Sequence, residues 1–174
     1  KGLPKIIEAR KRGVDVTCEA APHHLYFDTS MITDDNRPWL QVNSPLRGPD
    51  DREALIEGLR CGDVDYFATD HAPHTEEEKL KGMSGIPHLD TYGSFTTWLM
   101  KEHGYTPQDI ARVCSYNPGI FVNEFCSGIK FGKIEPGYAG SLTVIDMSSP
   151  LMVTKAGLKT KCGWSPFEGM TFPG

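Results

Sequence analysis

"YFATDHAPH", Tyr66 to His74, is the stretch on which the reading of this chain turns. Begun two residues earlier, "VDYFAT" (Val64 to Thr69) is short and rich in β-branched and aromatic residues, as a buried strand should be. Asp70 stands one residue past its end, and His71 and His74 follow on a loop stiffened by Pro73. A carboxylate and imidazoles leaving a strand end can ligate a metal, exchange a proton with a bound water, or hold a polar substrate. The same residues also suit an ordinary turn, with the aspartate as a cap and the histidines merely hydrogen-bonded. The segment by itself leaves both readings open.

Working outward, the order of elements speaks for an α/β fold. "KGLPKIIEARKRG" places Leu3, Ile6, Ile7 and Ala9 at helical spacing and closes at Gly13. "VDVTCEA" (Val14 to Ala20) is a second short buried strand, followed by a proline-punctuated loop from Pro22 to Pro49. "PDDREALIEGLRCG" combines an acidic first turn, apolar Ala54, Leu55 and Leu59, and a glycine stop at Gly62. After a loop from Asp70 to His88, "LDTYGSFTTWLMKEHG" can bring Phe95, Trp98 and Leu99 onto one helical face. Two capped helices follow: "TPQD" offers Thr106 as N-cap, Pro107 at N1 and Asp109 at N3, and Asn117 and Pro118 repeat the cap-then-proline signature. Helix and strand in alternation mean a parallel sheet with covering helices, whose functional groups sit where loops leave the C-terminal strand ends. From Gly128 onward, short β-like runs alternate with glycine and proline turns. The expected division is residues 1–127 for the α/β part and 128–174 for a segment of a small antiparallel β unit and its tail.

Composition narrows the classes of function. The 174 residues are 39% hydrophobic and 24% charged, the make-up of a globular protein with a real core. The formal net charge of −5 and the scattered lysines and arginines give a polyanion no footing, so nucleic acid is not expected as a partner. No apolar run approaches the roughly 20 residues needed to span a bilayer, and a cytoplasmic location is the expectation. The five cysteines are odd in number and never spaced as CxxC, which speaks against a disulfide framework or a structural zinc cluster. The chain opens on Lys1 without methionine and is helical almost at once, as if entered partway through. Two or three parallel strands cannot close a barrel, for which about 250 residues are typical, so an upstream segment or a second chain is expected to supply the rest.

Two further segments carry candidates. In "APHHLYF", His23 and His24 are adjacent, so their side chains diverge; the expectation is one buried and hydrogen-bonded, the other facing the loop. In "QVNSPLRGPDDREAL", Asn43 can donate and accept and Arg47 presents a fork suited to carboxylates, although singly such residues are ordinary turn formers and surface charges.

Taken together, "VTCEAAPHHL", "VNSPLRGPDDREAL" and "FATDHAPHTEEEK", in this order and with these gaps, closely resemble the type I dihydroorotases of the cyclic amidohydrolase group. The resemblance continues through "GIPHLDT", "KIEPGYAGSLTVID" and "KCGWSPFEG", and so covers essentially the whole chain. Hydantoinases and allantoinases share the general plan. The resemblance implies the C-terminal part of a (β/α)8 TIM-like barrel plus part of a small β-domain. It implies reversible hydrolysis and cyclisation between dihydroorotate and carbamoyl aspartate in pyrimidine synthesis, with one or two zinc ions. Asp70 matches the family's metal-ligating acid, which takes a proton from the metal-bound hydroxide and passes it to the leaving nitrogen. His74 and Asn43 look like substrate-holding residues, and backbone groups at Ser84 and Gly85 match the loop lying against the substrate ring.

Departures from the family pattern are Ser44 where a second proline is usual, His88 where a glycine is common, and Ser141 where an aspartate is frequent. The family's His-x-His pair, its bridging lysine or aspartate, and two further histidine ligands match nothing here. One carboxylate does not hold zinc, which ordinarily takes three or four protein ligands. The expectation is therefore half of a dihydroorotase site, inactive alone. The competing readings are a hydantoinase or allantoinase, and a non-catalytic homologue that docks on an assembly such as a transcarbamoylase.

Overall fold

The computed structural model describes residues 2–174; Lys1, the start of the first expected helix, lies outside the described residues. Helix α1 (Leu3–Lys11) ends as the sequence indicates, with Gly13 at φ +80° behind it. Strand β1 (Glu19–Ala20) leads into α2 (Pro22–Tyr26), and α3 (Pro49–Cys61) into β2 (Tyr66–Phe67). A short α4 (Glu76–Leu80), α5 (Tyr92–His103), α6 (Pro107–Ala111) and α7 (Asn117–Asn123) follow, and β3 (Leu151–Met152) and β4 (Thr171–Phe172) close the order.

The two expected parallel strands are adjacent, with Glu19 opposite Tyr66 and Ala20 opposite Phe67. They are much shorter than the apolar runs around them. The flanking bonds Asp65 N–H to Cys18 C=O and Ala68 N–H to Ala20 C=O, both 3.0 Å, extend the pairing by one residue each way. Among the described residues neither strand has a neighbour on its other side, and a two-stranded ribbon is marginal without more of a sheet. Packing from above compensates. Leu25, Phe27, Leu59, Phe67, Phe95 and Leu99 form one buried cluster, and Tyr92 at the start of α5 stacks on Phe67 and donates to its carbonyl at 2.7 Å.

Helix α3 begins at Pro49 behind Gly48, carries Asp50 and Asp51 in its first turn, and stops at Gly62 in the left-handed region, φ +93°. Its buried stripe is not the expected one: Ile56, Gly58 and Leu59 face the core, whereas Ala54 is exposed and Leu55 half-buried. The reason is Gly58, where an added Cβ would come within 2.8 Å of the Leu3 side chain; the missing side chain admits α1. In α5, Phe95 and Leu99 are fully buried and Trp98 half-buried.

Thr106 caps α6 as read from the sequence: its Oγ1 accepts from Asp109 N–H at 3.1 Å, and Asp109 Oδ2 accepts from Thr106 N–H at 2.9 Å. The second cap signature fails. Asn117 continues the helix, its Nδ2 donating to the Asp65 carbonyl beside β2 instead of capping. Residues Arg112–Tyr116 form a π-helical turn between α6 and α7, with Asn117 N–H bonded to Arg112 C=O. Pro118 has no N–H for the ladder, and the wider turn accommodates that gap.

Beyond Ser127 the expected β-runs are largely absent. One parallel bridge joins Lys130 and Tyr138, and the antiparallel pair β3–β4 is two residues long. Val144 and Ile134 are 95% and 87% exposed, so these apolar residues lack the partner that would make strands of them. The tail behaves differently. Trp164, Phe167 and Phe172 lie in the same core as Phe95, and Phe167 stacks on Phe27 with ring centres 5.1 Å apart.

Candidate active site

Asp70 follows β2 by three residues and sits at φ +44°, the left-handed region that an aspartate tolerates and most side chains avoid. This backbone turns the chain out of the sheet, and the carboxylate is 47% exposed on its rim. The strip behind it is pinned to a second loop. His71 pairs with Ile86 in a parallel bridge, Ala72 N–H bonds Ile86 C=O at 3.1 Å, and His71 Nδ1 accepts from His88 N–H at 2.9 Å. The 70–74 strip and the 84–88 loop thus lie side by side.

Gly85 makes that closeness possible. Its φ is +140°, and a Cβ there would meet Ala72 O at 2.5 Å and His74 Cδ2 at 3.1 Å. His74 is half-buried, its Nδ1 3.6 Å from Glu78 Oε2 and its carbonyl accepting from Trp164 Nε1 at 2.7 Å. Gly85 N–H donates to Gln41 C=O at 3.0 Å, and Ser84 Oγ lies 3.4 Å from Gln41 Nε2. Asn43 is exposed on the same rim, between Gln41 and Ser44, whose carbonyl is 2.8 Å from His24 Nε2. Asp70, His74, Ser84 and Gly85 are therefore joined through direct contacts of their two segments, and Asn43 borders them through its neighbours. Three hollows of the surface lie away from these residues, one of them between Tyr26, Trp98 and Phe172.

Two supporting features escaped the sequence reading. Lys79 is fully buried and its Nζ donates to three carbonyls, Gln41 and Met83 at 2.9 Å and Gly85 at 2.8 Å. It ties the Asn43 loop to the Ser84–Gly85 loop, and burial pushes its ammonium down to about 8. Within "TEEEKLKG" nothing distinguishes it from a solvated lysine. The other feature is a histidine pair. His23 is buried and His24 faces the loop, as the adjacency argument expects, but the buried ring bonds His88, with His23 Nδ1 2.8 Å from His88 Nε2. Burial, reinforced by His24, lowers His23 to about 2, and burial with His71 beside it lowers His88 to about 3.

Among the described residues no three His, Cys, Asp or Glu side chains gather into a metal-holding group. Asp70 offers one ligand, so the residues described do not by themselves fit a resident zinc site. Among the described residues no helix is long and apolar enough to cross a membrane.

No family model matches the chain. The fold superposes on L-hydantoinase (dihydropyrimidinase) from Arthrobacter aurescens with a TM-score of 0.82 at 24% identity, over 99% of this chain and 39% of that one. For D-hydantoinase (dihydropyrimidinase) from a Thermus species the values are 0.81 and 22%, over 98% and 39%. Parallel strands covered by helices, with the acid at a C-terminal strand end, thus have the fold of part of a (β/α)8 barrel. Sequence narrows the class. Dihydroorotase of Bacillus licheniformis is 37% identical over 175 residues, covering 94% of this chain and 38% of that protein. Dihydroorotase of Clostridium botulinum is 34% identical over 175 residues, covering 100% and 41%. The chain is thus similar over nearly its whole length to dihydroorotases, and it spans about two fifths of the length of the relatives it matches.

Proposed function

We propose that this chain carries the acid-base half of a dihydroorotase site, acting on the amide bond that opens dihydroorotate to carbamoyl aspartate. The observation that carries the reading is the placement of Asp70, on a left-handed turn just past β2, with its strip fastened to the Ser84–Gly85 loop. In this reading the Asp70 carboxylate takes a proton from the water that adds to the ring carbonyl. It then returns that proton to the ring nitrogen as the C–N bond breaks, leaving the acid and the carbamoyl nitrogen neutral. His74, Asn43 and the free groups of Ser84 hold the substrate's polar edge. Both polar groups of the Gly85 backbone are already engaged, so its part is to let the loop lie against the ring.

One or two zinc ions belong to this proposal, with Asp70 as one ligand and the remaining ligands supplied by sequence outside the 174 residues. A cytoplasmic location and the division into 1–127 and 128–174 are proposed with it. The family relationship and the single convergent carboxylate support the half-site reading.

The test is turnover by a complete enzyme in which this chain provides the C-terminal part, with Asp70→Asn as the variant, since asparagine keeps the left-handed backbone. Loss of dihydroorotate hydrolysis by about a thousandfold or more, with the fold intact, is expected for a residue acting as base and acid in one step. Retained activity in the variant would overturn the role, and a preference for hydantoin or allantoin would move the chain to a neighbouring member of the class.

A further inference from the structure

Four histidines, His24, His23, His88 and His71, touch one another in turn beside Asp70, and their hydrogen-bond partners restrict where the protons sit. His24 Nε2 faces the Ser44 carbonyl at 2.8 Å, which only accepts, so His24 carries its proton there. His71 Nδ1 receives the amides of His88 and Leu89 at 2.9 and 3.2 Å, so that nitrogen is bare. His23 and His88 share one bond between them, Nδ1 to Nε2, with the rings stacked at 5.0 Å and both side chains fully buried. Each has one nitrogen left over: His88 Nδ1 among Phe95 and Phe167, and His23 Nε2, 3.7 Å from Asp70 Oδ2.

Two arrangements of the pair are possible, and they differ at both ends. If His23 donates to His88, the His23 Nε2 lone pair confronts the Asp70 carboxylate, and His88 Nδ1–H is left as a buried donor with no acceptor. If His88 donates to His23, the His23 proton sits on Nε2 and points at the carboxylate, and the leftover atom is a bare nitrogen among aromatic rings. The second arrangement turns the repulsion at Asp70 into attraction, and it leaves the unbonded N–H facing a carboxylate instead of aromatic rings.

We infer that His23 is a positioning residue for Asp70, presenting Nε2–H to the carboxylate Oδ2 while its Nδ1 accepts from His88 Nε2–H. The 3.7 Å separation is too long for a direct hydrogen bond and short enough for the N–H dipole to bias the carboxylate rotamer. Held by Oδ2, Asp70 turns its other oxygen toward the open rim, where the proton transfers take place. The inference rests on the reading of Asp70 as the acid-base group, but the state of the two rings is measurable without turnover.

The experiment is a nitrogen-15 spectrum of the imidazoles in the uniformly labelled 174-residue chain, where protonated and bare ring nitrogens are well separated. The expected result is His23 and His88 both protonated at Nε2 and bare at Nδ1, in at least about tenfold excess. His23 protonated at Nδ1 would overturn the inference. Asp70→Gly, which suits the left-handed backbone and removes the carboxylate, should lower the His23 excess several-fold, and Asp70→Asn should restore part of it. An unchanged excess in Asp70→Gly would also overturn the inference, since His88 alone would then fix the ring. Loss of the proposed hydrolysis reading leaves these spectra unchanged, so the two can fail separately.

Discussion

Gly85→Ala is the substitution whose cost the structure defines most fully. The position has φ +140°, a region open essentially to glycine, and forcing an L-residue there costs about 1–3 kcal/mol. The new Cβ would also stand 2.5 Å from Ala72 O and 2.8 Å from Ala72 Cβ, atoms that cannot swing aside because the Ala72 amide is bonded to Ile86. Overpacking of this kind costs about 1–3 kcal/mol. A combined loss of about 2–6 kcal/mol is expected, a large share of the 5–15 kcal/mol typical of a folded domain. For a chain of this size that is a fall in Tm of about 4–24 °C. Gly93→Ala is the matched control. Gly93 lies in the first turn of α5 with nothing within 4 Å of its added Cβ, so alanine there is neutral or stabilising by up to about 1 kcal/mol. Urea unfolding of the two variants beside the parent chain gives the comparison. If Gly85→Ala loses less than about 1 kcal/mol, or no more than Gly93→Ala, the close approach of the 70–74 strip to the Ser84–Gly85 loop is wrong.

Other outcomes follow from the same groups. Lys79→Met keeps the packing against Trp164 but leaves the Met83 and Gly85 carbonyls without their partner, and should cost about 2–4 kcal/mol in urea unfolding; a loss below about 0.5 kcal/mol would contradict the buried tie. His23 and His88 have folded values of about 2 and about 3, below the ordinary 6.5, so the unfolded chain binds more protons below pH 6.5. Their contribution is therefore complete above pH 6.5 and lost as the pH falls, by about 2–4 kcal/mol between pH 7 and pH 5; a flat stability profile over that range would contradict their burial. Burial pushes the Cys114 thiol up to about 11, whereas Cys61 and Cys126 are exposed. A thiol reagent at pH 8 should label those two first and Cys114 last, read by peptide mass, and early labelling of Cys114 would refute its protected environment.

What the sequence disclosed depended on how local each signal was. The Thr106 cap, the Pro49 helix start and the Gly62 stop are each written in a short local stretch, and each stands where its pattern says. The strands' existence and parallel pairing were legible, but their length was not, because ladder bonds depend on neighbours that a single stretch cannot reveal. Asn117 shows the opposite failure: a cap motif overruled by a bond to the Asp65 carbonyl. In the site, Asp70 stood out from residue type and position, whereas the loop at Ser84 and Gly85 was singled out only through the family resemblance. The His23–His88 pair could not, since its members lie 65 residues apart and neither follows a periodic pattern. Lys79 was hidden for a related reason, a buried cation within a run of charges that reads as solvated.

The central claim is that this chain supplies the acid-base half of a dihydroorotase site and is inactive without the rest. Dihydroorotate hydrolysis, followed by loss of ultraviolet absorbance with zinc added, tests it most directly when the 174-residue chain is assayed alone and then together with the upstream part of a related dihydroorotase. The account predicts no turnover alone, turnover in the combination, and none when the combination carries Asp70→Asn. Turnover by the isolated chain with stoichiometric zinc, or an Asp70→Asn combination as active as the parent, would contradict it.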